Sequence, residues 1–234
     1  MKRLIEFILK KIKLNSTLNV RGGFEIVEQI KIEKDEHDMG IEGINFINMK
    51  FSLDPELWHE TFLNAMTKSL KPTNCIEVGV SKGRTTRILS ANCSNVYAID
   101  IDPSALFYTN KLNNVSFINE ESRYALAGLL PKLRNKVDFI FVDGDHRSDA
   151  VMLDVEISLQ LLSDTGLLVL HDTYPKDYSF ISEKNEWCGD SYKVPILIEN
   201  KFKEVRLVTL PIHPGLTIVQ KIFSQPHWMN PSKA

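Results

Sequence analysis

Downstream of residue 52 the chain alternates between two hydrophobic patterns. In one, apolar residues return every three to four positions, as on one face of a helix; in the other, short runs rich in β-branched residues are apolar throughout, as in strands covered on both sides. The helical pattern opens at "DPELWHETFLNAMTKSLK", with Asp54 as an N-cap, Pro55 at the first helical position, and Leu57, Trp58, Phe62, Ala65, Met66 and Leu70 on one face. There follow the run "CIEVGV", a helix over "TTRILSAN", the run "VYAIDID", a helix near "PSALFYTNKL", and the run "VSFINE". A helix over "ALAGLLPKL", the run "VDFIFVDGD", a helix over "DAVMLDVEISLQLL" and the run "GLLVLHD" complete the series. Such alternation implies right-handed βαβ crossovers and a parallel sheet with helices on both faces.

The end of the chain breaks the alternation. "FKEVRLVTLPIHPGLTIVQKI" holds two apolar stretches around a turn bearing proline and glycine, as an antiparallel pair would. The expected fold is therefore α/β, Rossmann-like and doubly wound, a mainly parallel seven-stranded sheet finished by a C-terminal antiparallel hairpin. Its domain spans residues 53–224, with an extension over 1–52 and a tail over 225–234. Residues 1–14 carry Leu4, Ile5, Ile8 and Ile12 at helical spacing among Lys2, Arg3, Lys10, Lys11 and Lys13, a basic amphipathic helix. Such a helix packs on its own domain, on a second subunit in a homo-oligomer, or peripherally on a membrane surface. Glu6 interrupts its apolar stretch and no small-residue cleavage site follows, so it does not read as a signal peptide.

At 234 residues and 43% hydrophobic, the chain suffices for one domain with an appendage. A net charge of -2 gives no electrostatic case for nucleic acid, which leaves a small-molecule or glycan partner. Cys75, Cys93 and Cys188 are odd in number and form no CxxC pair. That argues against a disulfide framework and against a zinc cluster, and fits a reducing cytoplasm.

Ligands of open α/β sheets bind beyond the carboxyl ends of the strands. Here those ends carry Glu77 and Gly79, then Asp100 and Asp102, then Glu120 to Ser122, then Asp143 to His146, then His171 and Asp172. A dinucleotide site calls for GxGxxG, whereas this chain has Gly79 and Gly83 spaced GxxxG, and a row of acids would repel a pyrophosphate. The same acids suit a ligand with a ribose diol and positive charge but no phosphate, such as S-adenosylmethionine.

"EVGVSKGRTT", "VYAIDIDP", "VDFIFVDGDH" and "GLLVLHDT" resemble the successive motifs of class I S-adenosylmethionine-dependent methyltransferases over residues 55–223. The pairing of "DGDH" with "HDT" is similar to the metal-dependent O-methyltransferases acting on macrolide sugars. The resemblance implies that Glu77 meets the methionine ammonium, that Gly79 lets the backbone approach the cofactor, and that Asp100 accepts from the ribose hydroxyls. It also implies that Glu121 and Ser122 border the adenine with Asp145 near the cofactor. Asp102, followed by Pro103, reads instead as an N-cap.

Asp143 and Asp172 end adjacent strands, so their carboxylates would converge on Mg²⁺, a hard cation served by oxygen. The family places Glu before the second Asp, or Asn after it, where this chain has His171 and Thr173. A histidine there favours Mn²⁺ or another transition metal, or else points into the sheet. By resemblance His146 is the general base that a weakly nucleophilic sugar hydroxyl needs. Trp187 and Tyr192, in the stretch after the fifth strand, would stack on a sugar ring or pack on the core. The remaining histidines, His213 among them, read as surface or turn residues. The leading expectation is an O-methyltransferase acting on a sugar hydroxyl of a polysaccharide, glycolipid or natural-product precursor. The alternatives are a nicotinamide-dependent oxidoreductase and a non-catalytic nucleotide-binding module on the same fold.

Overall fold

The computed structural model describes residues 58–182 and 187–222. The basic helix expected over 1–14, the extension 1–52, the N-cap Asp54 with Pro55, and the tail 225–234 lie outside them. The described elements are α1 (Trp58–Leu70), β1 (Asn74–Val78), α2 (Arg84–Asn92), β2 (Asn95–Asp100), α3 (Leu106–Thr109), β3 (Val115–Asn119) and α4 (Ser122–Leu133). After these come β4 (Val137–Val142), α5 (Ser148–Leu161), β5 (Leu162–His171), α6 (Val194–Lys201), β6 (Val205–Leu210) and β7 (Leu216–Lys221). The strands form one seven-stranded sheet in the order β3-β2-β1-β4-β5-β7-β6, parallel from β3 to β5 and antiparallel through β7 and β6. This is the Rossmann-like arrangement expected, with the strand order reversing between β1 and β4.

Alternation along each strand divides the core. Ile76 and Val78 of β1 join Ile140 and Val142 of β4 in a buried cluster with Ala125 and Leu126 of α4 and Val151 and Val155 of α5. Cys75 and Glu77 point the other way, Glu77 beside Thr86 of α2. On that side α1 and α2 lock together through Asn92, whose side-chain amide donates to the Asn64 Oδ1 at 2.8 Å and the Thr67 hydroxyl at 3.1 Å.

Three local readings are corrected. The helix expected near "PSALFYTNKL" is only a 3₁₀ turn, Pro103–Ala105, followed by the single turn of α3. Asp102 caps that turn as expected, its carboxylate accepting from the Ser104 N–H at 2.8 Å. The helix α6 was not anticipated, because "VPILIENK" has little amphipathic contrast and follows a loop rich in turn residues. The argument against disulfides fails at one place: Cys75 at the start of β1 and Cys93 just after α2 are bonded to each other across 18 residues of sequence. Spacing gave no sign of this pair, and the bond is a local staple within one βα unit rather than a framework. The inference of a reducing compartment from unpaired cysteines loses its ground with it. Among the described residues no helix is long and apolar enough to cross a membrane.

Candidate functional site

Two strand ends and one loop build the centre of the site. β4 delivers Asp143, the loop after it delivers His146, and β5 delivers His171 and Asp172. One ligand atom from each of Asp143, His146 and Asp172 lies within 4.8 Å of the others. The Nε2 of His146 is 3.1 Å from the Asp172 Oδ2 and 3.7 Å from the Asp143 Oδ1. Behind the carboxylates, the His171 Nδ1 sits 2.9 Å from the Asp143 Oδ1 and 3.3 Å from the Asp172 Oδ1. Asp172 is buried and holds a positive φ of 59°, a conformation an aspartate keeps only where its surroundings fix it.

These contacts set the charges. Burial alone would raise the Asp143 carboxyl, but the His171 charge and hydrogen bonds from His146 and His171 outweigh it and hold the group below the usual carboxylate range. Burial likewise opposes the charge on His171, yet Asp143, by charge and hydrogen bond, and Asp172 push its pKa up to about 10. His146 is also raised, the Asp143 hydrogen bond and the Asp172 charge overcoming its burial. His59 of α1 stacks on His171 with ring centroids 4.3 Å apart; burial and the neighbouring His171 charge bring it down to about 4. In the described protein, then, one buried imidazolium is clamped between two carboxylates and a neutral imidazole backs it.

The loop after β5 closes over His146. The Trp187 carbonyl faces the His146 Nδ1, while the His146 carbonyl accepts from the Asp190 N–H at 3.0 Å and the Ser191 hydroxyl at 2.9 Å. Gly189 is needed here, since a Cβ on it would lie 2.2 Å from that carbonyl oxygen. Cys188 is buried, and its thiol points at the Asp172 Oδ1 at 3.5 Å; burial and the Asp172 carboxylate raise its pKa, so it is no activated nucleophile.

A cavity of about 440 Å³ opens over this centre. Its lining includes Asp143, His146, His171 and Asp172, the turn from Gly79 to Lys82 with Arg84 and Thr85, and Phe180 and Trp187. Phe180 and Trp187 meet edge to face at 5.5 Å, and His213 meets Phe180 edge to face at 4.3 Å. His59 and His213, expected at the surface or in turns, both line the cavity. His59 sits beside Trp58 within the apolar stripe of α1, where a histidine reads as part of the core. His213 arrives on the β6–β7 turn, whose Pro214 carbonyl accepts from the Tyr174 N–H at 2.7 Å next to the site.

The expected cofactor residues divide into two groups. Gly79 lines the cavity, and its missing side chain makes room for backbone: a Cβ there would lie 2.0 Å from the Asp143 carbonyl oxygen. Asp100 organises the glycine turn, its Oδ2 accepting from the Val80 N–H at 2.8 Å and the Ser81 N–H at 2.9 Å, its Oδ1 from the Asp102 N–H at 2.8 Å. A carboxylate has about four lone-pair directions, so the turn engages three of those of Asp100. Glu77 is fully buried, neither oxygen has a hydrogen bond of normal geometry, and burial brings its pKa up to about 8. It does not line the cavity. Glu121, Ser122 and Asp145 gather instead around Asp154 of α5, a buried carboxylate that sequence reading missed and that burial brings up to about 6. Its one signal was an acid on an otherwise apolar helix face. Asp145 is itself engaged by Arg147, with the guanidinium Nη2 at 2.6 Å. Tyr192, the other aromatic residue offered for stacking, is not part of the lining.

Comparisons with known proteins agree with this geometry. Residues 76–173 match a family model described as a methyltransferase domain. The chain is similar to tapetum-specific methyltransferase 1 of Arabidopsis thaliana, 27% identical over 177 residues that cover 69% of this chain and 75% of the relative. Among solved structures it resembles the O-methyltransferase from Bacillus cereus in complex with SAH, with a TM-score of 0.57 and 16% identity over 70% of this chain and 80% of that one. It also resembles an SAH-bound methyltransferase from Podospora anserina, with a TM-score of 0.56 and 14% identity over 70% of this chain and 77% of that one. At such identities the structural likeness shows the fold. The family match adds that residues 76–173, from β1 to just past β5, are similar to a methyltransferase domain.

Proposed function

We propose that the protein is a class I S-adenosylmethionine-dependent methyltransferase that transfers a methyl group to a hydroxyl, that of a sugar in a polysaccharide, glycolipid or natural-product precursor, at a divalent-metal centre. The observation that carries the reading is the convergence of Asp143, His146 and Asp172 at the floor of the 440 Å³ cavity, beside the Gly79 turn. A hydroxyl needs activation before it attacks a sulfonium methyl, and a divalent cation held by Asp143 and Asp172 would supply it by acidifying a coordinated hydroxyl. The donor set fits such a cation: two carboxylates and an imidazole face one point, and the His171 proton orients Asp143 from behind.

The cofactor would be held by residues around the glycine turn. Gly79 keeps the backbone low, Asp100 would accept from the ribose hydroxyls, and Glu77, at the end of β1, would meet the methionine ammonium. Glu121, Ser122 and Asp145 would border the adenine. The absence of a third glycine and the row of acids weigh against a nicotinamide dinucleotide. The exposed indole of Trp187, which lines the cavity beside Phe180, favours a ring-shaped acceptor such as a sugar.

Calorimetric titration with S-adenosylhomocysteine, with and without Mg²⁺ or Mn²⁺, followed by a methyl-transfer assay on sugar hydroxyls, tests the proposal. Binding of the product cofactor with metal-dependent methylation is expected. A nicotinamide dinucleotide binding in its place would overturn the cofactor assignment. Cofactor binding without transfer to any hydroxyl would leave the non-catalytic reading.

A further inference from the structure

We propose that His146 is the third protein ligand of the metal centre, and that the resulting set of two carboxylates and one imidazole selects a borderline transition ion over Mg²⁺. The inference rests on the methyltransferase reading for what the metal does, but its physical basis is local. An imidazole has two nitrogens, and what one is doing fixes what the other can offer. The His146 Nδ1 faces the Trp187 carbonyl, an oxygen that only accepts, so Nδ1 must carry a proton. In the neutral ring this leaves the Nε2 lone pair aimed between the Asp172 and Asp143 carboxylates, at 3.1 and 3.7 Å. Three electron-rich atoms facing one point repel one another unless a positive charge lies between them. A divalent cation seated among them would supply that charge.

The surroundings of His146 hold it in that pose. Its carbonyl is fixed by Asp190 and Ser191, and Gly189 lets the loop lie close against it. An N–H to a backbone carbonyl on one ring nitrogen, with the other nitrogen aimed at a cluster of oxygens, is how ligating histidines are oriented. The same geometry turns Nε2 toward the two carboxylates that would share the cation. The base expected from sequence is thus better placed as a ligand. Mg²⁺ prefers an all-oxygen shell with several waters, whereas imidazole nitrogen suits the ions from Mn²⁺ to Zn²⁺.

The test uses the full-length protein freed of metal and then titrated with Co²⁺, Mn²⁺ or Mg²⁺ in a calorimeter. Co²⁺ is expected to bind at least about 100-fold more tightly than Mg²⁺. His146→Gln should lower Co²⁺ affinity at least about 10-fold and change Mg²⁺ affinity by less than about 3-fold, so that the preference collapses. Electron spin echo spectroscopy of bound Mn²⁺ should show nitrogen modulation that disappears in the variant. S-adenosylhomocysteine binding and the circular dichroism spectrum verify that His146→Gln is folded, and His146→Ala provides a second variant for the same comparison. Equal affinities for Co²⁺ and Mg²⁺, or a nitrogen signal that persists in both variants, would overturn the inference while leaving the methyltransferase reading intact. Failure to bind S-adenosylhomocysteine in the wild type strikes that reading instead, and the metal preference is then judged from the titrations alone.

Discussion

Glu77→Gln should make the protein's stability less sensitive to alkali. In the folded chain burial holds the Glu77 carboxyl protonated up to about pH 8, against an ordinary value of 4.5. Between these values the native state carries a proton that the unfolded chain has released, so stability falls as pH rises. The contribution is fully present below pH 4.5 and is lost as the pH passes through 8. From pH 4.5 to 7 the loss is about 2.5 pH units at 1.36 kcal/mol each, about 3 kcal/mol, and it approaches about 5 kcal/mol above pH 8. For a chain of this size 3 kcal/mol corresponds to about 6 to 12 °C in Tm. Glutamine leaves a buried amide with a cost of about 1 to 3 kcal/mol, but that cost is independent of pH. The measurement is therefore the difference in Tm between variant and wild type at pH 5, 7 and 8.5, which should shift in favour of Glu77→Gln as pH rises. Parallel curves would refute the argument, because they mean Glu77 is ionised or hydrated in the folded protein. A further arm uses saturating S-adenosylhomocysteine. If its ammonium meets Glu77, the ligand stabilises wild type more than the variant, and the gap at high pH narrows.

Other outcomes follow from the same geometry. Asp100→Ala deprives the Val80, Ser81 and Asp102 N–H groups of their acceptor and should weaken S-adenosylhomocysteine binding about 10- to 100-fold in calorimetry; unchanged affinity would remove Asp100 from the site. Gly79→Ala forces a Cβ against the Asp143 backbone at a φ of +88° and should cost more than about 2 kcal/mol in urea denaturation. Asp143→Asn should abolish metal-dependent turnover yet keep cofactor affinity within about 3-fold of wild type, and full activity in excess EDTA would show the metal assignment to be wrong. Trp187→Ala should raise KM for a sugar acceptor about 10-fold with little change in kcat, since the backbone carbonyl toward His146 is retained. An unaltered KM would take the indole out of the acceptor site.

The acids at the strand ends were legible because a parallel sheet sends every strand out at the same edge. Once "VDFIFVDGD" and "GLLVLHD" read as neighbouring strands, Asp143 and Asp172 had to stand side by side. What side chains do after leaving the sheet was harder to see. The commitment of Asp100 to its own glycine turn, and of Asp145 to Arg147, depends on loop geometry that hydrophobic periodicity does not encode. His59 was hidden because a helix stripe records burial, not which neighbour is met, and its neighbour His171 lies 112 positions later in the chain. The Cys75 to Cys93 bond was invisible for the same reason: α2 must first fold back before the two thiols share a place.

The placement of β7 between β5 and β6 has a consequence for the order in which the protein is made. The parallel strands β1 to β3 leave the ribosome about 100 residues before β7, which at roughly 5 to 20 residues per second is a delay of about 5 to 20 s. Until β7 arrives, β5 has no partner on that side and the turn carrying His213 and Pro214 is missing from the cavity wall. A nascent chain that ends before β7 therefore lacks one wall of the cavity. The last pairing of the sheet is thus also the step that completes the cavity wall.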